Sequence, residues 1–198
     1  MNGSFLLRLS LIAGIALVSL GACETTPPKA TYPALTYGHL GVIGLDVREI
    51  QIVSKYAAPL KAPNVEHLAP VALGDAMRRW ARDRLKARGG TGRARVTIIK
   101  ASIIEVPLKV RGGIRGAFTT DQSERYDAVA EMIIEILDER GIQKAFVKGE
   151  AKRTRTIPEG APLAQRERVW FEIVEALMND LNGALDQNIR VYFARYIR

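Results

Sequence analysis

Residues 123–155 read SERYDAVAEMIIEILDERGIQKAFVKGEAKRTR, and how that stretch alternates decides the fold. In its first half, Tyr126, Ala128, Ala130, Met132, Ile134 and Ile136 fall on one side of an extended chain. Asp127, Glu131 and Glu135 fall on the other, so the period is that of a strand and not of a helix. Val129, Ile133 and Leu137 share the acidic side, which is therefore only partly wet. Glu139-Arg-Gly141 is a short turn, which brings a second run back antiparallel over residues 143–155. There Ala145, Val147, Gly149 and Ala151 are small on one side, and Lys148, Glu150 and Lys152 are charged on the other.

Downstream, Pro158 and Pro162 precede a long helical period over residues 163–196. Trp170, Ile173, Val174, Leu177, Leu181, Ala184, Leu185 and Tyr192 share its face. At ~1.5 Å per residue it spans roughly 50 Å, so its end projects beyond the core or bends near Gly183. Upstream, residues 95–110 read as a strand in which Ile98-Ile99 and Ile103-Ile104 break simple alternation, so it is bent or covered on both sides. The glycine-rich text from Arg111 to Phe118 forms the turn into the 123–138 strand.

Before that, residues 71–88 read as a helix closed by Gly89-Gly90. Leu73, Ala76, Met77, Trp80 and Ala87 share one face, and Arg78, Arg79, Arg82 and Lys86 the other; Leu85 does not fit. Residues 56–70, with Pro59, Pro63 and Pro70, read as a loop. Residues 42–53 read as a first strand whose phase slips between Val47 and Ile50, as a bulge or bend requires. The expected class is α+β: a mostly antiparallel four-stranded sheet with two helices on one face, in the order β-α-β-β-β-α.

The start of the chain is different in kind. Arg8 precedes an apolar run at residues 9–20, which ends in Gly21-Ala22-Cys23. That is the layout of a secretory signal, and the run is shorter than the roughly 20 residues a membrane-spanning helix needs. Leu20-Gly21-Ala22-Cys23 resembles the lipobox of bacterial lipoproteins. The resemblance implies cleavage before Cys23, a diacylglycerol on its thiol and a palmitate-type acyl chain on its new amine. Glu24 stands where members retained at the inner membrane carry aspartate, which points to the outer membrane. Pro- and Thr-rich text over residues 24–36 reads as an extended tether. The expected partition is a signal at 1–22, a lipidated Cys23 with its tether through 36, and a single periplasmic domain at 37–198. Cys23 is the only cysteine, so no thiol remains for a disulfide, a metal or a nucleophile.

Lys and Arg number 29 against 21 Asp and Glu, a net charge of +8. A basic domain held beside a membrane suits anionic head groups or an acidic partner, and export argues against nucleic acid. Arg78, Arg79, Arg82 and Lys86 on the first helix, with Lys109, Arg111 and Arg115 around the glycine-rich turn, are the candidate contacts to anionic lipid, lipopolysaccharide or a partner protein. Glycines 112, 113 and 116 lack the Gly-Lys-Ser/Thr ending of a phosphate loop. His39 and His67 have no acidic or cysteine neighbour at metal-ligand spacing. Glu105 lies in an apolar strand and is expected to pair with an arginine, and Trp80 and Trp170 are expected in the core. No catalytic residue, metal ligand or cofactor site is expected.

A lipoprotein with this element order resembles LptE, the small lipoprotein that plugs and assists the outer-membrane barrel inserting lipopolysaccharide. The matching text is the strand from Arg125 to Gly141, then Ala151-Lys-Arg-Thr-Arg155, and a helix opening on Arg166-Glu-Arg-Val-Trp170 and running through Leu177-Met-Asn-Asp-Leu181. The auxiliary lipoproteins of lipid-transport ABC systems, PqiC among them, share the size, anchoring and strand-helix order, and a Pro-rich start like Cys23-Glu-Thr-Thr-Pro-Pro28. Either resemblance implies a non-catalytic, lipid-anchored accessory factor facing the periplasm from the outer membrane, with a β-barrel or an ABC-transporter component as partner. A structural lipoprotein binding the cell wall is the remaining alternative.

Overall fold

The computed structural model describes residues 31–108, 122–158 and 160–198. Its central pair is the one read from residues 123–155: β5 (Gln122–Leu137) turns at Asp138 and returns as β6 (Gln143–Pro158), antiparallel. The turn is held by Asp138, whose Oδ1 accepts the backbone N–H of Arg140 and of Ile142, while Gly141 supplies a φ of 80°. β4 (Arg93–Pro107) lies antiparallel on the other side of β5, and β2 (Glu49–Ser54) pairs parallel with β4. The sheet order is β2-β4-β5-β6, so the fold is α+β with a mostly antiparallel four-stranded sheet.

The broken alternation in β4 has a local cause. The register shifts between Ile98 and Lys100, so Ile99 is an extra residue and the parity of the strand flips. Before the shift Ala94, Val96 and Ile98 are buried, and after it Ala101 and Ile103 are. Thr97 and Ser102 are buried as well, so the strand is bent and partly covered on both faces.

α1 (Leu73–Arg84) and α2 (Leu163–Tyr192) pack on one face of this sheet, α1 over β4 and α2 over β5 and β6. Leu73, Met77 and Trp80 from α1 meet Ile173, Leu177, Leu181 and Leu185 from α2 in one buried cluster with Val96, Tyr126, Met132 and Ile134. Gly149 lets α2 come close: a Cβ there would stand 2.5 Å from Leu185 Cγ and 3.1 Å from Leu181 Cδ1. The Trp80 indole N–H donates to Asn182 Oδ1 at 2.8 Å and ties the two helices together.

Several boundaries differ from the sequence reading. The first helix stops at Arg84, because the chain turns extended at Leu85 and forms β3 (Leu85–Ala87), parallel to β1 (Ile43–Leu45). That accounts for Leu85, which did not fit a helical face: it is buried as the first residue of a strand. Ala87 is exposed and not on an apolar helix face, and Lys86 is likewise on the strand. The expected strand at 42–53 is two strands, β1 and β2, separated by residues 46–48. β4 ends at Pro107 and not at residue 110. The 56–70 loop docks beside β4 where β2 ends, with Val65 N–H donating to Ile103 O at 2.9 Å. α2 is unbroken at Gly183 and stops at Tyr192, followed by a 3-10 turn at Ala194–Tyr196. Tyr192 is 65% exposed and leaves the apolar face, whereas Ile189 and Phe193 are buried.

Candidate functional site

With both helices on one side, no helix or strand among the described residues packs on the opposite face of the sheet. Its surface follows from the even residues of β6 and the odd residues of β5, the sides read from the sequence as charged and partly wet. Arg95 and Glu135 stand directly opposite in register and form a bidentate pair, Nε to Oε2 at 2.8 Å and Nη2 to Oε1 at 3.0 Å. Lys148 bridges Glu131 at 2.9 Å and Glu150 at 3.3 Å, and Lys152 reaches Glu150 at 2.6 Å. The cations of these pairs are exposed and the carboxylates part-buried, and ion pairs at a surface contribute about 0–1 kcal/mol each, so they add little to stability.

At the β2 end of this lattice lies a cavity of about 310 Å³. Ile99, the residue expelled by the bulge, and Ile133 line it with Phe146, which is 55% exposed. Lys55 and the Arg95–Glu135 pair line it with them. The Arg95 guanidinium holds the Glu135 carboxyl below the usual carboxylate range, against the opposing effect of burial, so Glu135 is ionised at neutral pH. The arrangement offers an apolar surface beside a lysine, which suits the apolar part of a ligand or partner carrying a negative group.

A second polar cluster lies between the sheet and the start of α2. The Arg166 guanidinium donates to Glu124, to Oε1 at 2.9 Å, and to the Tyr126 hydroxyl at 2.9 Å, and it stands 3.7 Å from Glu105. Glu105 therefore has its expected arginine. Arg166 holds Glu124 below the usual carboxylate range, and burial pushes the Tyr126 hydroxyl up to about 12. One guanidinium thus serves two carboxylates and a hydroxyl, and the cluster joins α2 to β4 and β5.

The residues singled out from the sequence are partly brought together. Arg79 and Arg82 are exposed on α1, while Arg78 is half-buried and paired with Asp75 at 2.7 Å. Lys86, though on β3, donates its ammonium to Arg82 O at 2.7 Å. Cys23, Lys109, Arg111 and Arg115 lie outside the described residues, as do the signal and the glycine-rich turn. Among the described residues no group of three or more His, Cys, Asp or Glu is placed to hold a metal ion, and no helix is long and apolar enough to cross a membrane.

Sequence reasoning missed two features. Arg84 is buried, donating to the Leu40 and Gly41 carbonyls and to Asp186. The available signal was its place: Leu73, Met77, Trp80 and Arg84 follow helical spacing, so it continues the apolar stripe. Phe146 was the other, standing out among Lys144, Lys148 and Glu150 on the charged side of β6.

These elements define an α+β layer pair in which, among the described residues, helices cover one sheet face only. No family model and no curated protein matches the chain. Solved structures similar to it include the following three. One is the uncharacterized lipoprotein B of Nitrosomonas europaea, at 13% identity and a TM-score of 0.39, covering 77% of this chain and 88% of that one. Another is the rare lipoprotein B of Shewanella oneidensis, at 14% and 0.37, covering 73% and 98%. The third is a PelC dodecamer from Paraburkholderia phytofirmans, at 14% and 0.23, covering 77% and 92%. Two of the three bear the name lipoprotein, but with every TM-score below 0.5 these likenesses carry no argument.

Proposed function

We propose that this chain is a lipid-anchored envelope protein that works by binding and not by turnover, as an accessory factor in lipid or lipopolysaccharide transport. The observation that carries the reading is the lipobox-like text Leu20-Gly21-Ala22-Cys23, followed by Pro- and Thr-rich text and a domain whose sheet, among the described residues, has helices on one face only. Acyl chains at Cys23 hold the domain at a bilayer, at roughly 0.8 kcal/mol per buried methylene. On the domain, the Ile99, Ile133 and Phe146 surface is the contact face, because exposed aromatic side chains anchor interfaces out of proportion to their number.

The partner on the LptE-like reading is an outer-membrane barrel. The Pro-rich start Cys23-Glu-Thr-Thr-Pro-Pro28 favours the second reading, an auxiliary lipoprotein of an ABC-type lipid transporter. The test is a photo-reactive residue in place of Phe146, activated in native outer membranes, with mass spectrometry of what is trapped. A barrel as dominant product supports the first reading, and transporter components support the second. Cross-links to peptidoglycan-bound material alone would turn the account to a cell-wall protein, and no product from this face would remove the sheet surface from it.

A further inference from the structure

A different part of the molecule gathers cations and bare apolar side chains. Residues 46–48, 88–92, 138–142 and 194–198 converge at one end of the sheet. Arg48 N–H donates to Thr91 O at 3.0 Å, and Gly89 N–H to Val47 O at 3.0 Å. Asp46 N–H donates to Tyr196 O at 2.7 Å, and Leu45 bridges Ile197. A Cβ on Gly92 would stand 2.5 Å from Leu137 O, which sets the 88–92 loop against the β5–β6 turn.

These four segments present Arg48, Arg88, Arg140, Arg195 and Arg198, all exposed. Among the described residues only Arg198 of the five is ion-paired, to Asp46 at 2.9 Å. Of the acids at this end, Asp138 is taken by Lys144 at 3.0 Å and by two backbone N–H groups, which leaves Glu49 and Glu139. The same end carries Ile142, Val191, Tyr192 and Ile197, four of the ten large apolar side chains that are exposed among the described residues. Single exposed apolar residues are ordinary; their concentration beside unpaired arginines is not.

We propose that this end seats on an anionic bilayer surface. Guanidinium forks match lipid phosphates, and isoleucine, valine and tyrosine tips fit the boundary between head groups and acyl chains. The tether permits it. The Tyr32 ring packs on Phe171 at 5.1 Å, and from Phe171 to Tyr192 is about 31 Å along α2 at ~1.5 Å per residue. Drawn out fully at ~3.3–3.6 Å per residue, the chain from Cys23 to Tyr32 reaches about 30–32 Å, which matches that length. Anchor and arginine end can therefore engage one membrane at once. The proposal rests on the anchored reading only through that tether.

The test is hydrogen exchange on the purified full chain, with liposomes of phosphatidylcholine alone or with added phosphatidylglycerol. Amides of residues 46–48, 88–92, 138–142 and 194–198 should gain protection on the anionic liposomes only. At about 1 kcal/mol per arginine near the surface, replacing Arg48, Arg140 and Arg195 together by glutamine lowers docking roughly 100-fold and removes that protection. Replacing Lys61, Lys100 and Arg168 by glutamine removes the same charge and leaves the protection in place. Equal protection on both liposomes, protection elsewhere only, or an unaffected arginine triple variant would overturn the proposal. Protection present in native membranes but absent on liposomes of their extracted lipids would assign the end to a protein partner and overturn it too. Failure to float with phosphatidylcholine liposomes while floating with the anionic ones strikes the anchored reading alone, and failure to float with the anionic ones overturns the proposal.

Discussion

Gly149→Ala tests the seating of α2 on the sheet with one methyl group. Glycine inside a strand costs roughly 0.5–1 kcal/mol relative to alanine, so on backbone grounds the change stabilises. At this position the new Cβ meets Leu185 Cγ at 2.5 Å and Leu185 Cδ2 at 2.6 Å, distances at which a side chain or the helix must move. Overpacking of that kind costs about 1–3 kcal/mol, so the clash wins and the net loss is about 1–2 kcal/mol. With a urea slope near 2 kcal/mol per molar, the unfolding midpoint should fall by about 0.5–1 M with the slope unchanged. Leu185→Ala alone should cost about 2–5 kcal/mol by leaving a cavity. The double variant should recover about 1–2 kcal/mol of the summed loss, because the methyl fills space that the leucine vacated. A raised midpoint for Gly149→Ala, or losses that simply add, would mean that α2 does not lie against β6 at Gly149.

Other expectations follow from the polar contacts. Asp186→Ala should destabilise by about 3 kcal/mol in urea melts, because it strips the carboxylate from the buried Arg84 guanidinium. Trp80→Phe should cost about 1–2 kcal/mol through loss of the indole bond to Asn182, with the fold retained by circular dichroism. Glu124, Asp127 and Glu135 have pKa values lowered mainly by their arginine partners, so their contribution is present above the unfolded carboxylate range and is lost as pH falls through their folded values. The urea midpoint should therefore drop below about pH 4, and Glu124→Gln should flatten that slope. Tyr126 carries the opposite sign: its stabilisation is present below the unfolded tyrosine pKa and is lost as pH rises from about 10 towards its folded value of about 12, which a base titration of Tyr126→Phe checks.

Strand parity carried most of the fold. Small and apolar residues on one side of 123–155, against charges on the other, separated a buried side from a partly wet one, and the structure puts both helices on the first. Leu85 shows where periodicity stops working: a three-residue strand is too short to have a visible period, and only its misfit in the helical pattern marked the change. Ile98-Ile99 likewise signalled a bend but could not place the extra residue, because a bulge is defined by its partner strand. Glu105 was legible as an ion pair because a lone acid in an apolar strand needs a cation. Arg84 was not read that way, since its neighbours Arg78, Arg79 and Arg82 made it look like one more solvated arginine. The arginine end was hidden for another reason: its four segments are as far apart in sequence as Arg48 and Arg198, and only the hydrogen bonds between them bring them together.

The central claim is the anchor, and the direct measurement is the mass of the N-terminal peptide from the native protein extracted from membranes. The account predicts a chain beginning at Cys23 that carries a diacylglycerol and an amine-linked acyl group, with Cys23→Ser found unacylated. A chain beginning at Met1, or at Glu24 or later with no lipid, would contradict it.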